Sequence, residues 1–321
     1  MLPERLILLE NVKKVFKEAG FAISIYCKIK STCFDLVARK NGILLFVKVL
    51  YNVDSLQQEH AKELKLLSLI FSASPLVIGE KSGHTALEDG VVYERYGIPV
   101  ININSLIYAL IEGKFPIIIA KRGGLFVKID NKVLRSERIR KNLSLGMLAE
   151  MVGVSRKTIY EYERGTMDAT VETAHKLENL LNAKLTQPIN VFAWKIEDIE
   201  SLEKENVENE LKEIVCELLS ELGFGVIPTF RTPFDAVAKT PEARIVLLTG
   251  VGYPSERGIR KRIKVVRSIS QIMRKYAVFI LEGKRVSPNI DGVPILKTSE
   301  LKRMEEPEEL LSTIMKRQVI N

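Results

Sequence analysis

The chain has 321 residues, of which 46% are hydrophobic and 27% charged, and its formal net charge is +8. This length predicts two or three domains, and the composition excludes a mostly disordered, collagen-like or low-complexity chain. No run of about 18 apolar residues occurs, and the first residues lack a secretory signal, so we expect a cytoplasmic protein. Three cysteines without a CxxC pair and three scattered histidines argue against a disulfide framework and a structural zinc site, and we predict no cofactor.

The positive charge is concentrated in the middle of the chain. Residues 121–195 hold 14 Lys and Arg against 8 Asp and Glu, whereas residues 1–120 hold 14 against 12 and residues 196–321 hold 20 of each. Three quarters of the excess positive charge therefore lies in the middle segment. A concentrated positive field favours a polyanionic partner such as nucleic acid, although a solubilising surface gives the same arithmetic.

Two segments of the chain repeat the same order of features. Leu8–Asn52 and Leu211–Pro254 each begin with an amphipathic helix, reach Gly-Phe, and then pass an extended stretch to Phe-Asp, at Asp35 and Asp235. Two hydrophobic strands with a short turn between them follow in each segment. The matching order and spacing indicate an internal duplication.

The agreement continues past the hairpin, whose turns we expect at Lys40-Asn41-Gly42 and Thr240-Pro241-Glu242. A helix follows each hairpin, at Leu56–Phe71 and Ile259–Arg274, and then a buried strand, a short strand after a Gly, and a terminal helix. Each lobe is therefore predicted to have the order α-β-β-β-α-β-β-α.

This order resembles the restriction-endonuclease-like fold. In that family an Asp at the start of a hairpin strand and a Glu-x-Lys on the next strand hold Mg²⁺ and activate the attacking water. Asp35 and Asp235 match the Asp, but the Glu-x-Lys position reads Phe46-Val47-Lys48 in the first copy and Leu248-Thr249-Gly250 in the second. The resemblance implies the fold and argues against the activity, so Asp35, Lys48 and Asp235 are candidates for a vestigial site only.

The middle segment, Leu134–Leu185, is predicted to form four or five short helices. Ser136 is expected to begin the first, with Ile139 and Leu143 facing inward, and Ser144 to cap the second. The fourth helix should bury its apolar residues, which follow a helical spacing.

The junction between the second and third helices has the pattern of a helix-turn-helix. Small Ala149 lets two helices approach, Gly153 permits the tight turn, and Val154 and Ile159 fill the corner. The run LAEMVGVSRKTIYEYERG resembles the lambda-repressor and Cro family. That resemblance implies that the third helix enters the major groove of double-stranded DNA.

The resemblance also assigns individual residues, with Ser155–Arg164 as the recognition helix. The implied DNA contacts are Ser144, Ser155, Arg156, Lys157, Thr158, Tyr160, Glu161 and Arg164, joined by Arg138 and Lys141 on the preceding helix. Arg156 is expected to pair with a guanine, and Glu161 to accept from a cytosine. Arg138 and Lys141 either contact the flanking phosphate backbone or form a solvated face. Ile159 and Tyr162 are expected in the core.

We therefore expect a nuclease-like lobe over residues 1–120, a helix-turn-helix domain over 121–190 and a second nuclease-like lobe over 200–321. This order resembles a family of archaeal transcription regulators, which implies binding to double-stranded DNA and control of transcription, and which points to no known ligand, so a small-molecule effector stays unknown. Because one helix-turn-helix reads only a few base pairs, we expect a homodimer across a palindrome. The basic run Glu256–Arg267 could add DNA contacts, but an ordinary surface is the favoured interpretation.

Two other functions stay open on the sequence alone. One is a metal-dependent, structure-specific DNA nuclease, or the non-catalytic partner of one, using Asp35 and Lys48 with a carboxylate moved to Glu59 or Glu63. The other is a protein-binding module of the toxin–antitoxin or chaperone type, for which no sequence feature speaks directly.

Overall fold

The computed structural model describes residues 3–27, 32–196 and 209–318. The sequence Ile196–Glu213 is rich in acidic residues, which predicts a linker and the first helix of the second lobe, and its residues 197–208 lie outside the described residues. The chain forms two compact units. Unit one comprises Met1–Ala19, Val49–Leu56 and Leu76–Trp194, and unit two comprises Gly20–Lys48, Gln57–Pro75 and Lys195–Asn321. The first lobe contributes to both units, and the predicted domain borders at residues 120 and 200 stay predictions.

The first lobe, called lobe one below, alternates helices and strands as its sequence predicts. Its elements are α1 (Pro3–Glu18), β1 (Ala22–Ile23), β2 (Leu36–Lys40), β3 (Ile43–Asn52), α2 (Gln58–Ile70), β4 (Ser74–Ser82), β5 (Thr85–Ala86), β6 (Val91–Arg95), β7 (Ile98–Ile101) and α3 (Ile103–Ile111).

The middle segment begins with a β-hairpin and continues with short helices. Its elements are β8 (Ile118–Lys121), β9 (Gly124–Ile129), α4 (Asn131–Arg140), α5 (Leu145–Val152), α6 (Arg156–Arg164), β10 (Ala169–Thr170), α7 (Val171–Leu181) and β11 (Thr186–Gln187). Both β10 and β11 pair with β9, so the hairpin and the helices form one body.

The last lobe, called lobe two below, repeats the plan of lobe one. Its elements are α8 (Glu210–Glu221), β12 (Gly225–Pro228), β13 (Ala236–Lys239), β14 (Val246–Gly252), α9 (Ile259–Met273), β15 (Tyr276–Leu281), β16 (Asn289–Ile290), β17 (Val293–Leu296), α10 (Thr298–Leu301) and α11 (Pro307–Gln318). Side chains of α8, the sheet and α11 share one apolar core.

The strand order confirms the internal duplication and the predicted fold class. It is β1-β2-β3-β4-β7-β6 in lobe one and β12-β13-β14-β15-β17-β16 in lobe two. The register agrees as well, since Leu36 pairs with Val47 and Ala236 with Thr249. Strand β14 is buried along its whole length, as its continuous apolar sequence predicts for a central strand.

Two details of the predicted lobes are wrong. Lobe one has two more strands than predicted, β5 and β6, and lobe two has one more, β16. Strands β6 and β16 form hairpins with β7 and β17 around two-residue turns, Tyr96-Gly97 and Asp291-Gly292, with positive φ at both positions. The hairpin turn of lobe two is also longer than predicted. Residues 240–245 form this loop, and Thr240 and Ile245 close it with hydrogen bonds, whereas lobe one turns at Asn41-Gly42 as predicted.

Candidate nucleic-acid interface and carboxylate pockets

The junction between α5 and α6 is fixed by side-chain and backbone caps. Ser144 accepts a hydrogen bond from the Met147 amide at the start of α5, and Ser155 accepts one from the Thr158 amide at 3.0 Å at the start of α6. Gly153 ends α5 with φ +80°, a left-handed conformation that side chains rarely adopt. The geometry agrees with the turn predicted for a helix-turn-helix.

One predicted start is wrong, because α4 begins five residues earlier than expected. Asp130 caps it by accepting from the amides of Lys132 and Val133, and Ser136 lies inside the helix. Ile139, which the sequence predicts to face inward, has 54% of its surface exposed. A carboxylate accepts hydrogen bonds from the free amides at a helix start as a serine hydroxyl does, so the sequence alone does not decide whether Asp130 or Ser136 is the cap.

The helices pack on one apolar core. Ile159 and Tyr162 of α6 are buried there, which confirms the prediction for both residues, and Ala149 is buried at the approach of the helices. The same core takes in residues of α7 and of strand β9. Helix α6 therefore rests on a buried apolar core.

The opposite face of α6 is polar and points to solvent. Its exposed residues are Ser155, Arg156, Lys157, Tyr160 and Arg164, whereas Thr158 and Glu161 are half-buried. Arg164 lies over the ring of Tyr160, with its guanidinium carbon 5.6 Å from the ring centre. The carboxylate of Glu161 accepts a hydrogen bond from the Thr166 hydroxyl. This bond uses one of the carboxylate oxygens that the sequence predicts to accept from a cytosine.

Several cations of this face are unpaired. Within the part of the chain that the structure describes, Arg156, Lys157 and the exposed Lys141 form no ion pair with a carboxylate. Because their charge is not neutralised inside the molecule, it is available to an anionic ligand.

Arg138 behaves differently from Lys141. Its guanidinium bridges to Glu163 with contacts of 2.5 and 3.0 Å and donates to the Leu143 carbonyl at 2.8 Å. Both side chains are largely buried, and the hydrogen bond with Glu163 raises the pKa of Arg138. The pair joins α4 to α6, a role that the sequence does not reveal because the partners are 25 positions apart. The DNA contact of Arg138 stays a prediction, and it would involve a side chain that also pairs with Glu163.

Lobe one places Asp35 and Lys48 together, as the family pattern predicts. Asp35 is 2% exposed, the Lys48 Nζ atom is 3.8 Å from its carboxylate, and Lys48 also donates to the Thr32 carbonyl at 2.5 Å. Phe46 occupies the position of the family Glu and is fully buried against Phe34, with ring centres 5.1 Å apart. An apolar ring therefore stands where a second carboxylate would be needed.

The two carboxylates that could replace it differ in their surroundings. Glu59 is exposed. Glu63 is 5% exposed and accepts hydrogen bonds from the amides of Phe230 and Arg231, at 2.8 Å each, and both of these residues belong to lobe two. The Cys33 amide donates to the Arg231 carbonyl at 2.7 Å. Within unit two, Glu63 therefore anchors a loop of lobe two.

Lobe two neutralises its Asp235 with two cations. Lys212 of α8 lies 2.7 Å from one carboxylate oxygen, and Arg262 of α9 pairs with the other, which also accepts from the Val251 amide. Arg262 further donates to two backbone carbonyls, Pro233 at 2.8 Å and Val251 at 3.0 Å. Burial lowers the pKa of Arg262 to about 10, which still leaves it charged at neutral pH.

The position that matches Lys48 is Gly250 in lobe two. A Cβ atom there would come within 2.3 Å of the Phe279 ring, so this position cannot carry a lysine without rearrangement. The Arg262 guanidinium lies 5.5 Å from the centre of the same ring. The cations beside the carboxylate thus come from helices α8 and α9 in lobe two, whereas in lobe one the cation comes from strand β3.

The residues present do not fit the Mg²⁺ ion that the nuclease fold implies. Mg²⁺ needs several oxygen ligands, whereas each pocket supplies one Asp that already faces a lysine or an arginine. The described residues contain no group of three His, Cys, Asp or Glu side chains that could hold a metal ion.

Fold and interface together define a helix-turn-helix protein built on PD-(D/E)XK lobes. Residues 5–116 match the PD-(D/E)XK superfamily domain, and residues 134–187 match the helix-turn-helix family. None of the helices in the described ranges is both long and apolar enough to cross a bilayer.

Relatives cover nearly the whole chain. A protein of Archaeoglobus fulgidus is 38% identical over 96% of both chains, one of Methanobrevibacter smithii is 38% identical over 97% of both, and one of Thermococcus gammatolerans is 34% identical over 98% of both. Each bears the name "Putative HTH-type transcriptional regulatory protein". The chain belongs to this archaeal family of HTH-type transcriptional regulatory proteins.

Proposed function

We propose that this protein is a DNA-binding transcription regulator that inserts α6 into the major groove of double-stranded DNA. The observation that carries the proposal is the polar outer face of α6. It holds exposed Arg156 and Lys157, which have no ion-pair partner among the described residues, above a buried apolar core. The names of the relatives agree with this function.

The residues of the interface divide into base readers and backbone contacts. Arg156 reads a guanine through its two parallel donors, and Tyr160 and Glu161 face neighbouring base edges. Lys157, Ser155 and Thr158 hold phosphates and fix the register of the helix. Ser144, Arg164 and Lys141 add flanking contacts of the same kind, to which Arg138 contributes through the donors not used by Glu163.

The regulator acts as a homodimer. One recognition helix contacts only a few base pairs, so a single copy discriminates poorly among the many sites of a genome. Two copies related by a two-fold axis read two half-sites about one helical turn, roughly 34–36 Å, apart.

The two lobes are non-catalytic in this proposal and serve the assembly. Three features support this: Phe46 at the Glu position, the ion pairs of Asp235 with Lys212 and Arg262, and the engagement of Glu63 by lobe two. The lobes offer surface for dimer contacts and additional DNA contacts.

Binding and cleavage measured side by side test the proposal. Selection from a pool of random duplexes should enrich a two-fold symmetric motif, and mobility shifts on that motif should be lost in the Arg156→Ala, Lys157→Ala variant. The Lys302→Ala, Arg303→Ala variant removes two exposed cations of lobe two and should bind as the wild type does.

The same protein is incubated with duplex, junction and flapped DNA in Mg²⁺ or Mn²⁺. We expect no cutting by the wild type or by Asp35→Asn. Metal-dependent cutting that disappears in Asp35→Asn would overturn the non-catalytic assignment and make lobe one a nuclease. Failure to enrich any sequence would overturn the regulator itself.

A further inference from the structure

Helix α9 of lobe two carries a one-sided distribution of charge. Its fifteen residues include five cations, Arg260, Lys261, Arg262, Lys264 and Arg267, and no Asp or Glu. One face is buried in the lobe through Ile259, Ile263, Val266, Ile269 and Met273. Arg262 points inward to Asp235, whereas the other four cations lie at other positions around the helix.

The outward cations form a stripe. Arg260, Lys261 and Lys264 are exposed and spaced by three and four positions, which places them side by side on consecutive turns. Exposed Arg257 directly precedes the helix. We call these four residues the α9 stripe.

Little inside the protein neutralises the α9 stripe. Lys264 lies 3.9 Å from Asp291, a long contact between exposed side chains that is worth little in water. For Arg257, Arg260 and Lys261, the described ranges of the chain contain no ion-pair partner. Four neighbouring positive charges repel one another, which raises the free energy of the folded state unless a counter-charge binds.

The fold does not require such a stripe. The corresponding helix of lobe one, α2, has two cations, Lys62 and Lys65, balanced by two carboxylates, Glu59 and Glu63. Both helices occupy the same place in the same strand order and bury the same kind of apolar face. The exposed cations of α9 therefore have no counterpart of equal charge on α2, and packing does not require them.

We propose that the α9 stripe is a second DNA-binding surface that contacts the phosphate backbone without reading the sequence. Phosphates follow one another every 3.4 Å of helix axis along each strand, so a row of cations on two helical turns matches several of them. The α9 stripe has arginines and lysines but no aromatic side chain among its members, which suits phosphates and not base edges. This inference rests on the proposed function, because it takes double-stranded DNA as the ligand.

The salt dependence of binding separates this surface from the recognition helix. Each phosphate contact releases counterions, so removing one lowers the slope of log affinity against log salt by about 0.9. The variant Arg257→Ala, Arg260→Ala, Lys261→Ala should lower the slope by about 2 to 3 on any duplex and leave the preference for the selected motif over random duplex unchanged.

A control variant and two contrary outcomes distinguish the α9 stripe from the proposed regulator function. The variant Lys302→Ala, Arg303→Ala, Lys316→Ala removes three exposed cations from the same lobe and should change the slope by less than half as much. If the α9 variant keeps the wild-type slope while Arg156→Ala, Lys157→Ala loses binding, the α9 stripe is not a DNA surface and the regulator stands. If the wild type binds no duplex at all, both proposals fail.

Protection of the unmodified protein gives a reading that needs no variant. Acetylation of Lys261 and Lys264, followed by mass spectrometry, should slow when a 60-base-pair random duplex is bound, whereas Lys302 should react at the same rate with and without DNA. The proposal would be overturned if the acetylation rate of each of the three lysines were the same with and without bound duplex. So would protection by an acidic protein in place of DNA.

Discussion

The two lobes keep the same carboxylate in the same place and neutralise it by different routes. In lobe one, Asp35 faces Lys48 on the neighbouring strand, at 3.8 Å. In lobe two the strand position is Gly250, blocked by Phe279, and the cations come from the helices, as Lys212 and Arg262.

This difference shows which property of the pocket the two lobes have in common. Both lobes retain a buried acid with a cation beside it, but they do not share the residue that supplies the cation. A metal site would hold its ligands fixed, because coordination geometry tolerates little displacement. Neutralisation of a buried charge tolerates several solutions, since any nearby cation lowers its cost. The two pockets therefore agree with the proposal that their ion pairs are structural.

The largest expected effect comes from breaking the pair in lobe two. Arg262→Met leaves the buried Asp235 with only Lys212, so we expect the free energy of unfolding to fall by about 3 kcal/mol. Lys212→Met should cost less than about 1 kcal/mol, because Lys212 is more exposed and Arg262 remains. Urea unfolding followed by circular dichroism measures both.

A second substitution tells whether the loss comes from the stranded charge. Asp235→Asn added to Arg262→Met removes that charge and should restore part of the lost stability. Equal stability of Arg262→Met and the wild type would mean that the pocket is not held by its ion pair, and the comparison between the lobes would lose its basis.

A smaller effect is expected where lobe one holds the loop of lobe two. Glu63→Ala removes the acceptor of the Phe230 and Arg231 amides and should cost about 2 kcal/mol, since hydrogen bonds to a buried charge are stronger than neutral ones. Glu59→Ala, on the exposed side of the same helix, should change stability by less than about 0.5 kcal/mol.

Hydrogen exchange locates the effect of Glu63→Ala. The amides of Phe230 and Arg231 should exchange faster in that variant and at the wild-type rate in Glu59→Ala. Unchanged exchange in both variants would show that Glu63 does not hold the loop, and Glu63 would again be available to the pocket of lobe one.

Much of this architecture could be predicted from the sequence, because repeated patterns carry local physics. The Phe-Asp positions, the Asn41-Gly42 turn and the spacing of Ile159 and Tyr162 each follow from side-chain chemistry within a few residues. The missing Glu followed from the resemblance to the restriction-endonuclease-like fold, since Phe46 stands two positions before Lys48, where that family has Glu.

The parts that failed depend on contacts between distant residues. Ser136 and Asp130 are both acceptable caps, and only the packing of α4 decides between them. The partners of Arg138, Asp235 and Glu63 lie on other elements, from 23 to 168 positions away. Such pairs are set by the fold and leave no periodic signal in one sequence.

The smallest expected effect concerns the hairpin turns, where the lobes differ again. Lobe one turns in two residues with Gly42 at φ +85°, whereas the six-residue loop of lobe two holds Ala243 at φ +52°. An L-residue with a side chain is strained in this left-handed region by about 1 kcal/mol, even where space is free, as it is around Gly42. Gly42→Ala should therefore lower the free energy of unfolding by about 1 kcal/mol.

Ala243→Gly should act in the opposite direction, because glycine removes the strain while it adds freedom to the unfolded chain. The two terms nearly cancel, and we expect a gain of about 0.5 kcal/mol. Thermal melting of both variants beside the wild type would resolve the signs. Destabilisation by Ala243→Gly would mean that the alanine side chain makes contacts that outweigh its backbone strain. The longer turn of lobe two would then be stabilised by packing that is specific to that lobe, as Asp235 is by its pair with Arg262.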